Sequence, residues 1–418
     1  MNALLANVPS TSFGLAPDPA LPQRDLLLDD EQMAGRLSLL IGRRGSALVD
    51  SCEKLRVKYR IGESLRILYR VSRSSRTHLI AAKAVAGPGA AAAHSASGIF
   101  DVDLRAAFWE CSDDRKIEHL SLLRDKPETL SRVLGDTWHH SEDIAYLPEK
   151  CATVRCVNRN DEAIAYAKMY AATEAKSIYT TYLRLASAVT RIVEPLEYSE
   201  AHRLLLLNPV TGLRIADLKQ EQMTDGFAGL AKTLASLHAA PIPSHLPHFH
   251  RHDLEGLHKC ARIVGMARPD VATVAKELDC DLRSTVPSRE DLVCLHGDVH
   301  PKNGIALNGL VTLIDLDQGA VGPAAADLGS LLALLHYNWR IGLLTRRRKQ
   351  QLASAFLDAY ACSRQLPTQR CLRWHTAAAL LSERALRSVN RIRPEGLHHL
   401  SQLLDDAKEI LRTGGVNA

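Results

Sequence analysis

The stretch VCLHGDVHPKNGIALNGLVTLIDLDQG, residues 293–319 of this 418-residue chain, holds the residue types best suited to chemistry. Within it, Asn308-Gly309 is a strong two-residue hairpin signal, because both residues tolerate positive φ and apolar runs flank them on each side. With those two residues as the loop, Leu307 faces Leu310 and Asn303 faces Ile314. Asn303 and Asp315 are then neighbours at the open end of one hairpin, and Asp298 lies in the loop that feeds its first strand. An amide and a carboxylate held together suit a hard cation such as Mg²⁺, which takes oxygen ligands and shares them with nucleotide phosphates. A nearby carboxylate with no metal to hold can orient a hydroxyl and accept its proton. That division of labour suits phosphoryl transfer, where positioning and charge neutralisation do most of the work.

The elements that must position these residues follow from periodicity. LRVKYRIGESLRILYRV (from Leu55) reads as short β-runs around a turn at Gly62, and HLIAAKAV as a further strand ending near Lys83. A similar arrangement recurs in IAYLPEKCATVRCV and AIAYAKMY. Setting Tyr59 on Tyr146 gives an offset of 87 and Lys83 on Lys168 one of 85, a weak internal repeat with a two-residue gap. After Ala171, apolar residues at Ile178, Tyr182 and Leu185 predict an amphipathic helix, RLLLLNPVTG an apolar strand, and GFAGLAKTLASLHAAP a helix closed by Pro241. Beyond Leu332 the period is almost wholly helical. Strands, a hinge-like segment and then helices make an α+β protein of two lobes. The domains expected are an extended lead-in over 1–30, an accessory or degenerate β-rich region over 31–130, a β-rich lobe over 131–208 that resembles a nucleotide-binding one, and a helical lobe with the chemical loop over 209–418. Gly87–Gly98, GPGAAAAHSASG, matches neither GxxxxGK[ST] nor GxGxxG and reads as a small-residue loop.

His296-Gly297-Asp298, with Asn303 five residues on and Ile314-Asp315 after the hairpin, resembles the catalytic loop and metal motif of the aminoglycoside phosphotransferase and choline kinase family, relatives of protein kinases with HGD in place of HRD. AYAKMY resembles that family's ATP-binding strand, LLLLNPVTGLRIADL its hinge, LAKTLASLHAAP its first large-lobe helix, and PAAADLGSLLA the helix after the metal motif. The resemblance covers 142–335 firmly and the helical tail to about 412 loosely. It implies a protein-kinase-like fold and an ATP- and Mg²⁺-dependent transfer of phosphate to a hydroxyl of a small molecule such as a sugar, amino sugar or amino alcohol. Carried over residue by residue, it makes Asp298 the catalytic base, Asn303 and Asp315 the magnesium ligands, and Lys168 the holder of the α/β-phosphates, with Glu174 its partner. His296 would brace the loop, Asp327 would cap its helix, and Asp317 is a further carboxylate near the site. The turn expected over the ATP phosphates, LPEKCATV, contains no glycine, which removes the usual close backbone approach and implies either weak nucleotide binding or phosphate contact through Lys150. The alternative is a pseudokinase-like binding module without turnover. A protein kinase is disfavoured, since no DFG or APE segment appears.

Composition narrows the partners. Hydrophobic residues at 46% and charged residues at 24% are ordinary globular values, and a net charge of +5 is too mild to indicate nucleic acid. Nine cysteines without a CxxC pair, no basic-then-apolar leader and no long apolar run point to a cytoplasmic protein with reduced thiols, neither secreted nor membrane-spanning. The histidines at 245, 248, 250 and 252 sit in a proline-marked loop without cysteine or carboxylate at zinc-ligand spacing. Arg340–Glu395 carries twelve Arg/Lys against three acids, which disfavours a polycationic acceptor, or else is a charge spread over several helix faces. The sequence leaves oligomeric state, ATP against GTP, and the identity of the acceptor open.

Overall fold

The computed structural model describes residues 14–42, 49–74, 76–87, 98–123, 127–288 and 291–413. Most of the glycine- and alanine-rich loop at 87–98 lies outside them. The chain forms two compact units. The first comprises 1–172 with 201–204 and 389–393, the second 173–200, 205–388 and 394–418.

In the first unit, α1 (Arg24–Leu27) and α2 (Asp30–Gly42) precede a sheet of β1 (Ser51–Arg60), β2 (Ser64–Arg73), β3 (Arg76–Val85), β4 (Ile99–Asp101) and β5 (Ala106–Glu110), in the order β1-β2-β3-β5-β4. After α3 (Pro127–Leu134) comes a second antiparallel meander of β6 (His140–Leu147), β7 (Cys151–Val157) and β8 (Ala163–Tyr170). Tyr59 and Tyr146 both lie in the first strand of their meander, and Lys83 and Lys168 both in the third, so the weak repeat corresponds to a repeated strand order.

The expectation of an extended lead-in needs correction. Its described part is built into the unit, because Leu15, Leu21, Leu27 and Leu28 are each 1% exposed, and burying a leucine contributes about 1.5–3 kcal/mol. Asp18 accepts the Tyr59 hydroxyl at 2.7 Å and the Gly62 N–H at 2.9 Å, which locks the segment onto the β1–β2 turn.

The second unit opens with α4 (Ala175–Ala188), whose buried Ile178, Tyr182 and Leu185 are the residues its period predicts. Strands β9 (Pro195–Ser199), β10 (Leu204–Leu207) and β11 (Leu213–Arg214) lead to α5 (Gln220–Ala239), α6 (Leu254–Ala267) and α7 (Ala272–Ser284). Then follow β12 (Leu292–Leu295), the hairpin β13 (Gly304–Leu307) and β14 (Leu310–Leu313), and β15 (Ala320–Pro323). The rest is helical: α8 (Ala324–Arg340), α9 (Arg346–Ala361), α10 (Gln369–Ala379), a π-helical turn at Leu380–Ala385, α11 (Leu386–Asn390), α12 (Pro394–His398) and α13 (Leu400–Thr413). The hairpin lies against α5 at Gly229, where a Cβ would come within 2.8 Å of the Val311 side chain, and Thr233 Oγ1 bonds the Val311 carbonyl at 2.7 Å. Among the described residues no helix is long and apolar enough to cross a membrane.

Candidate active site

The chemical loop is fixed from beneath. β12 pairs antiparallel with β15, and its Val293 and Leu295 pack on Ala326 of α8 with Phe249 and Ala324 against them. The chain then turns at Gly297, φ 75°, where a Cβ would run into the Gln318 carbonyl. The left-handed backbone and the close approach both demand glycine. Asp327 corrects another expectation. The N-cap of α8 is Pro323 with no capping side chain, whereas Asp327, 1% exposed, accepts the backbone N–H of His296 at 2.7 Å and of Gly297 at 2.9 Å. His238 faces the same carboxylate at 3.2 Å and meets the Tyr360 hydroxyl at 2.8 Å on its other nitrogen. Asp327 therefore serves as an anchor for the loop backbone.

His296 ties the two halves of the motif. Its Nδ1 accepts the Asp298 N–H at 3.3 Å, which leaves Nε2 as the protonated nitrogen that donates to the Ile314 carbonyl at 3.0 Å. The hairpin has the expected register, Leu307 opposite Leu310, and Ile314 N–H reaches the Asn303 carbonyl at 3.0 Å one step beyond the last ladder pair. Asn303, 6% exposed, donates Nδ2–H to the Asp298 carbonyl at 3.1 Å. Asp315 takes a left-handed backbone, φ 62° and ψ 61°, uncommon for a non-glycine residue and concentrated at functional sites. The next N–H, of Leu316, donates to the Tyr182 hydroxyl at 2.9 Å, so α4 holds the turn that presents Asp315. Asp298, Asn303 and Asp315 are thus connected through one network of backbone and amide bonds.

Asp298 remains partly open, its side chain 27% exposed, with His300 Nε2 at 3.5 Å and Arg387 Nη2 at 3.7 Å. His300 Nδ1 accepts from the Lys302 N–H, so its N–H faces the carboxylate. Burial alone would push the Asp298 carboxyl up, but the His300 N–H and the charges of His300, Arg387 and Arg251 outweigh it and hold the group well below the usual carboxylate range. Arg251 bonds the Gly297 carbonyl and also meets Glu383 Oε1 at 3.3 Å. Glu383 is buried in the π-helical turn, takes the Ser330 hydroxyl at 2.8 Å, and is held low, against its burial, by His252, Arg384 and Arg251. His300 was visible in the motif. Arg387 and the Arg251–Glu383 pair join positions too distant in sequence to be paired by pattern.

Of the other candidates, Lys168 lies in β8 of the first unit, its ammonium 5.4 Å from the centroid of the Tyr170 ring. Glu174 is the exposed N-cap of α4 in the second unit and makes no capping bond. In the histidine run, His245 meets Thr181 Oγ1 at 2.9 Å, His250 meets Asp253 at 3.0 Å and His252 meets His375 at 2.9 Å. All nine cysteines are free thiols. The basic residues of Arg340–Glu395 are largely engaged in separate places. Arg340 pairs with Asp406, Arg348 bonds Thr224 and the Gln220 carbonyl, and Arg370 bonds the Thr285 and Val286 carbonyls.

Residues 165–366 match the model of the phosphotransferase enzyme family. Lys168, Glu174, Asp298, Asn303 and Asp315 all fall inside that match. No curated protein matches the chain. Among solved structures, it is similar to a thermostable mutant of aminoglycoside phosphotransferase APH(4)-Ia in ternary complex with AMP-PNP and hygromycin B, at 14% identity, 71% of this chain, 99% of that one and a TM-score of 0.51. It is also similar to a choline/ethanolamine kinase family protein from Mesorhizobium loti, at 13% identity, 72% of this chain, 95% of that one and a TM-score of 0.50. These likenesses show the fold, a β-sheet lobe and a helical lobe of the protein-kinase-like kind.

Proposed function

We propose that this chain is an ATP- and Mg²⁺-dependent small-molecule kinase that phosphorylates a hydroxyl of a sugar, amino sugar or amino alcohol. The observation that carries the reading is that Asn303 bonds the Asp298 carbonyl and, through its own carbonyl, the Ile314 N–H next to Asp315, with Asp298 partly exposed and held ionised. The donor set fits magnesium. Asn303 Nδ2 is committed to the Asp298 carbonyl, which makes the amide oxygen the atom left for a cation, and Asp315 adds a carboxylate. Two protein oxygens completed by water and phosphate suit this ion better than a cage of protein ligands. When bound there, the ion would neutralise charge on the phosphoryl oxygens.

Asp298 accepts a hydrogen bond from the acceptor hydroxyl and points its oxygen along the line of attack. Its first work is orientation of that hydroxyl. The proton reaches it late, as the new P–O bond forms and the bond to the departing nucleoside diphosphate breaks. Asp327 and His296 keep the loop backbone fixed while this happens. Lys168 supplies the cation for the α/β-phosphates, and Glu174 belongs with it as the resemblance implies. A binding module without turnover is the weaker reading, because Asp298, Asn303, Asp315 and Lys168 are all retained.

The test is ADP release with Mg-ATP across sugars, amino sugars, choline-like alcohols and aminoglycosides, with Asp298→Ala run in parallel. An acceptor whose turnover vanishes in the folded variant supports the reading. Nucleotide-induced stabilisation without turnover on any acceptor, or no nucleotide effect at all, moves the assignment to the binding module.

A further inference from the structure

The first sheet contains an arrangement with an evident electrostatic cost. Lys58 of β1 pairs directly with Arg66 of β2, and Arg66 with Lys83 of β3, so three cations stand in one row on one face. Like charges directly opposite each other destabilise a sheet. Burial and the surrounding Arg60, Arg66, Lys150 and Lys83 accordingly push the Lys58 ammonium down. The counter-charge comes from the β6–β7 turn. Glu149, its side chain 1% exposed, pairs with Arg66, with Lys83 at 2.8 Å and with Arg115 at 3.4 Å. The same Arg66 guanidinium takes the Pro148 carbonyl at 2.8 Å, and Asp114 accepts both the Glu149 N–H and the Tyr146 hydroxyl at 2.7 Å. The turn is therefore held by its backbone and by its side chain.

Glu149 also occupies an unfavourable backbone. Its φ is 55°, and by the repeat offset of 87 it corresponds to Gly62 of the β1–β2 turn, φ 71°. Glutamate has no intrinsic reason to sit where glycine fits, so the ion pairs must outweigh that preference. Burial alone would raise the Glu149 carboxyl, and the bonded Lys83 with Arg66 and Lys116 outweighs burial and holds it below 4.5.

We propose that the first sheet is a positioning element for the turn Leu147–Lys150, and that Glu149, inserted beside Arg66, Lys83 and Arg115, is the positioning residue through which it acts. The inference rests on the phosphotransferase reading, in which this turn covers the nucleotide phosphates. A glycine-rich turn can close on phosphate by its flexibility. Here the turn has no glycine, and a fixed clamp presents its backbone and Lys150 in one geometry, so that less ordering is needed when the nucleotide binds. The accessory sheet thereby gains a task in the reaction without touching the reacting atoms.

The experiment is steady-state kinetics of the full chain with Glu149→Gln, Arg66→Ala and Arg66→Lys, on whichever acceptor the wild type uses. A clamp that positions the turn predicts a KM for ATP raised about tenfold or more in Glu149→Gln and Arg66→Ala, with kcat within about threefold and the acceptor KM unchanged. Arg66→Lys, which keeps the charge but not the fork that holds Pro148 and Glu149 together, should fall between them and the wild type. Should Glu149→Gln fail to fold, Glu149→Gly, which accepts the left-handed backbone without strain, is read by the same split. A lower melting temperature with an unchanged KM for ATP would mark a purely structural ion pair and overturn the inference while leaving the kinase reading intact. A wild type that neither binds nor turns over ATP would overturn both.

Discussion

The two meanders of the first unit place a lysine at the same point of the third strand, yet in opposite company. Lys83 stands in the row Lys58–Arg66–Lys83 and is tied to Glu149, its side chain 13% exposed. Lys168 stands in the row Ala145–Thr153–Lys168, where the cross-strand neighbours are small and uncharged. The turns differ in the complementary way, Gly62 in the first and Glu149 in the second. One copy has turned its lysine into part of an internal ion cluster. The other sets its lysine opposite Thr153 and Ala145 on the neighbouring strands. On the proposed reading, the neighbouring sheet gives the Leu147–Lys150 turn the shape that a glycine would otherwise allow.

That contrast has meaning only if transfer depends on the second unit's network, so the hardest blow should come from there. Asp298→Asn should cut kcat by about 10²–10⁴-fold with the melting curve preserved, the range expected for a positioned base. Asp315→Asn should cost about 10²-fold and raise the magnesium concentration needed for half-maximal rate; an unchanged magnesium titration would contradict its role as a ligand. The two lysines test the contrast directly. We expect Lys168→Ala to lower kcat/KM for ATP by about 10–10²-fold and Lys83→Ala by only a few-fold, the latter accompanied by a lower melting temperature. A reversed order would show that the first meander is the working copy. The smallest effect is a pH dependence. Glu149 is held below its ordinary 4.5, so its contribution to stability is present above that value and fades as pH falls through the lower folded value. Melting temperatures of wild type and Glu149→Gln should differ at neutral pH and converge only in acid below 4.5.

Local rules carried the reading of the β13–β14 hairpin. Asn308-Gly309 fixed the turn, the turn fixed the register, and the register placed Asn303 opposite Ile314, as the Ile314 N–H to Asn303 carbonyl bond shows. The α4 stripe of Ile178, Tyr182 and Leu185 was legible for the same reason, since period and burial coincide. Other features depend on partners remote in sequence. Asp327 looked like a helix cap because a carboxylate in a first helical turn is favoured there on local grounds, and its bonds to the backbone 30 and 31 residues earlier leave no local signature. Glu149 meets Arg66 and Lys83 across 83 and 66 residues, and Arg251 meets Glu383 across 132. The lead-in's prolines concealed leucines that only the assembled sheet could bury.

The chain changes unit at 172/173, 200/201, 204/205, 388/389 and 393/394. Residues 389–393 therefore complete the first unit although residues 205–388 of the second unit are made before them. Domains ordinarily mature in the order of their synthesis, but here most of the second unit is made before the last segment of the first exists. A nascent chain arrested before position 389 would hold a first unit that still lacks residues 389–393.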